Sequence, residues 1–120
     1  MANILIVDDS DIIRDSLREL LVGAGFDVTE GVDGVEGLEK AKSAKHDLII
    51  TDFNMPNMNG LEMSKEIKAL PEYKDISILM LTTETSADLK KQGKDAGIRA
   101  WIVKPFQGES MVKILKKLVG

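Results

Sequence analysis

The chain contains no cysteine and a single histidine, His46. Disulfide frameworks, thiolate zinc centres, cysteine nucleophiles and multi-histidine metal sites within the chain are thereby excluded. Aromatic residues make up only 4% of it, so few flat side chains exist on which bases could stack. With a net charge of −4 as well, the composition argues against nucleic acid as a partner. No unbroken run of hydrophobic residues exceeds four. That is far short of the ~20 needed to cross a bilayer, so no membrane insertion is expected. The opening Met1-Ala2-Asn3 has neither the basic flank nor the long apolar stretch of a secretion signal, which makes a cytoplasmic location the default.

What is present suits one compact unit. A chain of 120 residues, 43% hydrophobic and 30% charged, supports a single domain over 1–120 with a core that needs no covalent staples. Its charge is unevenly spread. Residues 1–85 carry 17 Asp and Glu against 8 Lys and Arg, whereas residues 86–120 carry 3 against 8.

Four short runs, Ile4 to Val7, Leu48 to Ile50, Ile76 to Leu81 and Ala100 to Val103, are apolar without strict alternation, as strands covered on both faces are. A weaker fifth surrounds Phe26 and Val28. Between them the period turns helical. Ile13, Leu17, Leu20, Leu21 and Ala24 share one face of a helix expected from about Ser10 to Val22. Asp33 to Glu36 and Asn59 to Glu62 have the form of capping boxes. They open helices with inner faces of Val35, Leu38 and Ala41 and of Met63, Ile67 and Leu70, with Pro71 as the stop. Ser86 to Ala96 makes a poor helix with Gly93 inside it, and Gly108 to Val119 closes the chain. Strand then helix, five times, implies an α/β fold with a doubly wound parallel sheet.

Polar residues able to do chemistry follow the strands. Asp8-Asp9 follow the first, Asp52 the third, Thr82-Thr83-Glu84 the fourth and Lys104-Pro105-Phe106 the fifth. In a parallel sheet those ends share one rim, where such folds bind ligands. Each group has a plain alternative: Asp8-Asp9 can cap a helix, Asp52 can be a turn residue, and Lys104-Pro105 can be an ordinary loop. Trp101 can be core, and His46 reads as an exposed loop residue. Converging carboxylates must be neutralised; oxygen ligands without His or Cys suit a hard cation, and a small site sharing its metal with a phosphoryl group would suit Mg²⁺ better than Ca²⁺.

Asp8-Asp9, Asp52 with Asn54-Met55-Pro56 and Gly60, Thr82, and Lys104-Pro105-Phe106, in this order, resemble the receiver domains of two-component response regulators. The resemblance covers essentially the whole chain and extends to single-domain chemotaxis regulators of the CheY type. It implies a flavodoxin-like (βα)5 fold with strand order 2-1-3-4-5. It further implies that Asp52 accepts a phosphoryl group from a histidine kinase. Asp8, Asp9, Asp52 and the Asn54 carbonyl would hold Mg²⁺, and Lys104 would pair with phosphoryl oxygens. Thr82 and Trp101 occupy the family's switch positions, and Asn54 and Glu84 those that tune loss of the phosphoryl group.

By the same resemblance the chain is a signalling protein and not a turnover enzyme. Only Gly120 follows Val119, so no output domain is expected and a separate protein should read the signal. Its docking face would be the basic one formed by the last two helices and last strand, with Lys90, Lys91, Lys94, Lys113, Lys116 and Lys117. The protein would be a monomer or a weak phosphorylation-dependent dimer. Three other readings compete. A flavodoxin-like redox carrier would meet repulsion between FMN phosphate and Asp8-Asp9-Ser10-Asp11. An aspartate-dependent phosphohydrolase would need its nucleophile after the first strand, and a pseudo-receiver would not need the complete acid set.

Overall fold

The computed structural model describes residues 2–119. Strands β1 (Asn3–Val7), β2 (Asp27–Gly31), β3 (Leu48–Thr51), β4 (Ser77–Thr82) and β5 (Ala100–Val103) alternate with five helices. These are α1 (Asp11–Gly23), α2 (Gly34–Ser43), α3 (Gly60–Lys68), α4 (Ala87–Asp95) and α5 (Gly108–Val119). All pairings are parallel and the order is β2-β1-β3-β4-β5, as expected.

The apolar strands explain the layers. Successive side chains leave a strand on opposite faces, so an uninterrupted apolar run greases both. Ile4, Ile6, Leu48, Ile50, Leu79 and Leu81 meet Leu17 and Leu21 of α1 and Met111 and Leu115 of α5. Leu5, Val7, Ile49, Ile78 and Met80 meet Ala41 of α2 and Met63 and Ile67 of α3. Each fully buried Leu or Ile contributes roughly 1.5–3 kcal/mol, and the strand residues that do this are the ones that precede the rim. In α4 only Gly93 is buried, so that helix is held by far less apolar surface than the others.

Helix starts follow the expected chemistry. Ser10 accepts the Ile13 N–H, Asp33 that of Glu36, and Asn59 forms a full capping box with Glu62. The Asp33 box is displaced by one residue, because the Glu36 carboxylate takes the Val32 N–H. Boundaries depart from the sequence reading at the edge of the sheet. The second strand runs on to Gly31, its middle only half-buried, so Thr29 and Glu30 are tolerated there.

Val35 is 40% exposed, not inward. The inner face of α2 is built from Gly34, Gly37 and Ala41, since a Cβ on Gly37 would crowd Val7 and Met63. Leu70 lies beyond the end of α3, and Pro71 opens a short 3-10 turn to Tyr73. No helix among the described residues is long and apolar enough to cross a membrane.

His46 corrects the expectation of an exposed loop residue: it is 3% exposed. Its main-chain N–H donates to the buried Tyr73 hydroxyl at 3.1 Å, and its Nδ1 lies 3.4 Å from the same oxygen. Tyr73 in turn can donate to the carbonyls of Ala41 or Ala44 at 2.8 and 2.7 Å, which ties the α2–β3 connection to the turn before β4. Nε2 of His46 finds no partner among the described residues. Burial therefore holds the imidazole pKa below its ordinary value of 6.5, against smaller opposing effects from the Ala44 backbone and Asp47.

The unfolded chain then binds the proton more readily than the folded one. The stability that a neutral His46 supplies is complete above about pH 6.5 and is lost as pH falls toward the depressed folded value. Melting temperatures between pH 7.5 and 5.5 should fall more steeply for the natural chain than for His46→Asn. Parallel curves would show that His46 does not contribute.

Candidate functional site

Register delivers the functional side chains to one edge. Val7 pairs with Gly31 on one side and Thr51 on the other, so Asp8 and Asp52 leave adjacent strands side by side. Thr82 pairs with Val103, and Lys104 follows. The ladder continues past the strands: Asp8 N–H donates to the Gly31 carbonyl at 3.2 Å, Asp52 N–H to Val7 at 3.0 Å and Lys104 N–H to Thr82 at 2.9 Å. Between β1 and β3 the winding of the chain reverses direction, which opens the crevice that ligands use in such sheets.

In that crevice Asp8 and Asp52 are 2% and 9% exposed, while Asp9 faces solvent. Each offers a carboxylate oxygen, and these oxygens lie within 4.8 Å of one another. Two unit charges that close repel by about 3 kcal/mol at an effective dielectric of 20. Lys104 neutralises part of this, with Nζ 2.8 Å from Asp8 Oδ2 and 3.0 Å from Asp52 Oδ2. Burial works against the ammonium, yet its bonds to Asp8 and Asp52 outweigh that and raise its pKa. Asp8 shows the remaining deficit. Burial pushes its pKa up, and the Lys104 bond and the Ser10 N–H at 2.9 Å recover only part of the shift.

One ammonium cannot balance three carboxylates. An all-oxygen cluster with an open mouth fits a small hard divalent cation, and Mg²⁺ fits this donor set. The Asp9 carboxylate has no hydrogen bond among the described residues, which leaves its oxygens free for such an ion. Asp52 is held at both oxygens, Oδ1 by the Phe53 N–H at 2.7 Å and Oδ2 by Lys104. Gly60 permits this placement. A Cβ there would overlap the Asp52 carbonyl oxygen, so α3 can start directly against the end of β3 only with glycine.

The rim carries the other expected residues. Asn54 Nδ2 donates to Glu84 Oε2 at 2.8 Å, joining the loops after β3 and β4. Thr82 is buried, and its hydroxyl accepts the Glu84 N–H at 3.3 Å. Trp101 is half-buried on β5, and its indole N–H donates to the Glu84 carbonyl at 2.9 Å. Asp8, Asp9, Asp52 and Lys104 thus form one cluster, and Asn54, Thr82 and Trp101 meet at Glu84.

Gly93 was legible only as a flaw in a helix, yet it is where the tryptophan sits. A Cβ on Gly93 would lie 2.9 Å from Trp101 Cζ3, too close for both to stay in place. Gly93→Ala gains roughly 1 kcal/mol of helix propensity and meets an overpacking cost of about 1–3 kcal/mol. We expect little net change in melting temperature but a shifted Trp101 emission spectrum, as the ring leaves its notch. An unchanged spectrum would mean that α4 and not the indole yields.

Comparison with known proteins matches the chain to a family. The model for the response regulator receiver domain matches residues 4–116. Chemotaxis protein CheY-3 of Vibrio cholerae is 37% identical over 116 residues, which cover 96% of this chain and 89% of that protein. Among solved structures, chemotaxis protein CheY4 of Vibrio cholerae superposes with a TM-score of 0.94 at 46% identity, covering 98% of each chain. The receiver domain of the sensor histidine kinase PA1611 from Pseudomonas aeruginosa is 25% identical with a TM-score of 0.91, covering 99% of this chain and 98% of its own. That structure is described with a magnesium ion coordinated in the active-site cleft.

Proposed function

The chain belongs to the response regulator receiver family, and from that premise we propose that it is a CheY-type, phosphorylation-operated switch for chemotaxis or flagellar control, with Asp52 as phosphoacceptor. The observation that carries this reading is Lys104 bridging Asp8 and Asp52 beside a cluster of three carboxylates. An oxygen of Asp52 bonds to the phosphorus of a phosphohistidine as the phosphorus–nitrogen bond breaks, its electron pair remaining on the donor imidazole. Such transfers depend on positioning and charge neutralisation, and the Phe53 N–H and Lys104 supply the former.

Asp8, Asp9, Asp52 and the main-chain carbonyl of Asn54 are the residues that would hold Mg²⁺. When bound, it neutralises negative charge on the transferring phosphoryl oxygens. The magnesium reported in the PA1611 receiver supports this reading. Incubation with a small acyl phosphate and Mg²⁺, read by intact mass, tests the proposal: one added phosphoryl group is expected, and none would overturn it. Neither a redox carrier nor a phosphohydrolase finds support in the family match or in the acidic loop after β1.

Once attached, the phosphoryl group brings charge of about −2 and new acceptor oxygens to the rim. Thr82 turns its hydroxyl toward them, and the loop it anchors carries Glu84, whose carbonyl holds Trp101. Asn54 and Glu84, bonded across the mouth, govern access of water to the acyl phosphate and hence its lifetime.

A histidine kinase supplies the group, and a separate protein with an acidic surface reads the state on α4, β5 and α5. The exposure of Lys90, Lys91, Lys94, Lys113, Lys116 and Lys117 supports that face. Association with that partner should slow by on the order of tenfold from low to near-molar salt. A salt-independent rate would remove the charge complementarity.

A further inference from the structure

The network on the α1 side of the crevice belongs to none of the roles above. Arg14, in the second turn of α1, has a side chain only 11% exposed. Its Nη1 donates to the main-chain carbonyl of Asp8 at 2.5 Å. Nη2 pairs with Asp11, and Nε lies 3.3 Å from Glu30 Oε1 on β2. Arg18 Nη1 holds the other oxygen of Glu30 at 2.7 Å and reaches Asp15 through Nη2 at 2.9 Å. Glu30 is therefore fixed between two guanidinium groups, and Arg14 is fixed by Glu30.

We propose that Arg14 is a positioning residue for the cation site, acting through its grip on the Asp8 carbonyl. The inference rests on the reading of Asp8, Asp9 and Asp52 as metal ligands. The gripped carbonyl belongs to the peptide joining Asp8 to Asp9, so holding it fixes the plane from which the Asp9 side chain departs. Asp8 and Asp52 have other restraints, namely Lys104, the Ser10 N–H and the Phe53 N–H. The Asp9 carboxylate has none among the described residues, so its aim depends on the main chain.

Charge does not compete with this role. Asp11 and Glu30 offset the guanidinium, so Arg14 brings little uncompensated positive charge toward a cation. Three donors on a rigid fork reach three acceptors here, which a lysine ammonium on a flexible stem cannot reproduce.

The test is Mg²⁺ binding measured by calorimetry, beside the rate of phosphorylation by a small acyl phosphate as a function of Mg²⁺. Arg14→Gln should weaken Mg²⁺ binding by about 10-fold, within the range known for groups that orient metal ligands. The half-saturating Mg²⁺ for phosphorylation should rise by the same factor, with the rate recovering at saturation. Arg14→Lys should weaken binding as well, and Glu30→Gln should do so to a smaller extent, leaving Arg14 in place but less constrained. Glu30→Gln keeps the inference testable if Arg14→Gln does not fold, as a melt in EDTA would reveal. Folded Arg14 variants that bind Mg²⁺ as the natural chain does would overturn the inference alone. A natural chain that binds no Mg²⁺ would instead overturn the cation-site reading and the inference with it.

Discussion

Asp52→Asn should abolish phosphoryl uptake while leaving the fold intact, an expected loss of at least about 10³-fold in rate, or ~4 kcal/mol of barrier. The substitution is close to isosteric, and the amide keeps a carbonyl oxygen for Lys104, now 3.0 Å from Asp52 Oδ2. It lacks the anionic oxygen that the proposed transfer would bond to phosphorus. Removing one of three clustered negative charges also relieves repulsion of about 3 kcal/mol per close pair before any cation binds. The variant should therefore melt no lower than the natural chain in EDTA. Intact mass after incubation with acyl phosphate and Mg²⁺ reads the outcome. Phosphoryl uptake by Asp52→Asn at the natural rate would move the nucleophile elsewhere, to Asp8 or Asp9.

The rim was legible because each of its parts follows a strand directly. Asp8, Asp52, Thr82 and Lys104 need only a parallel sheet in register to meet, and the apolar runs before them specify such a sheet. The continuous apolar strands were readable for the same physical reason that they are buried on both faces. Helix α2 misled at Val35 because its inner face is made of glycines, whose burial leaves no hydrophobic period to follow.

The burial of His46 is not legible in the sequence because it depends on Tyr73, which is 27 positions away and has no sequence signature tying it there. Main-chain acceptors are the other blind spot. Trp101 meets the carbonyl of Glu84 and Arg14 that of Asp8, and every residue type presents the same carbonyl. An arginine six positions after Asp8 hints at proximity, but only the phase of α1 shows that its guanidinium turns back to the β1 end. Gly93 carried a weak signal, a helix breaker kept inside a helix with nothing in the local pattern to justify it.

Withdrawal of Mg²⁺ is the second large effect, and Asp9→Asn should reproduce it. With EDTA, phosphorylation should slow by about 10²–10³-fold, the scale of removing a preorganised charge stabiliser from a transition state. In the absence of metal, Asp9→Asn should melt at or slightly above the natural chain. Its carboxylate makes no hydrogen bond among the described residues, and its charge only adds to the crowding around Asp8 and Asp52. With Mg²⁺ the two chains should separate. A cation at ~100 times its dissociation constant adds about 2.7 kcal/mol to the natural chain. For a domain of this size that is roughly 10 °C in melting temperature. Asp9→Asn should lose most of that gain, because Asp8 and Asp52 already share Lys104 and cannot alone offer the ion a balancing charge. Asp8→Asn is the less clean variant, since it also turns the closer of the two charged partners of Lys104 into a neutral one. A full Mg²⁺-induced shift in Asp9→Asn would place the ion away from the Asp8-Asp9-Asp52 cluster.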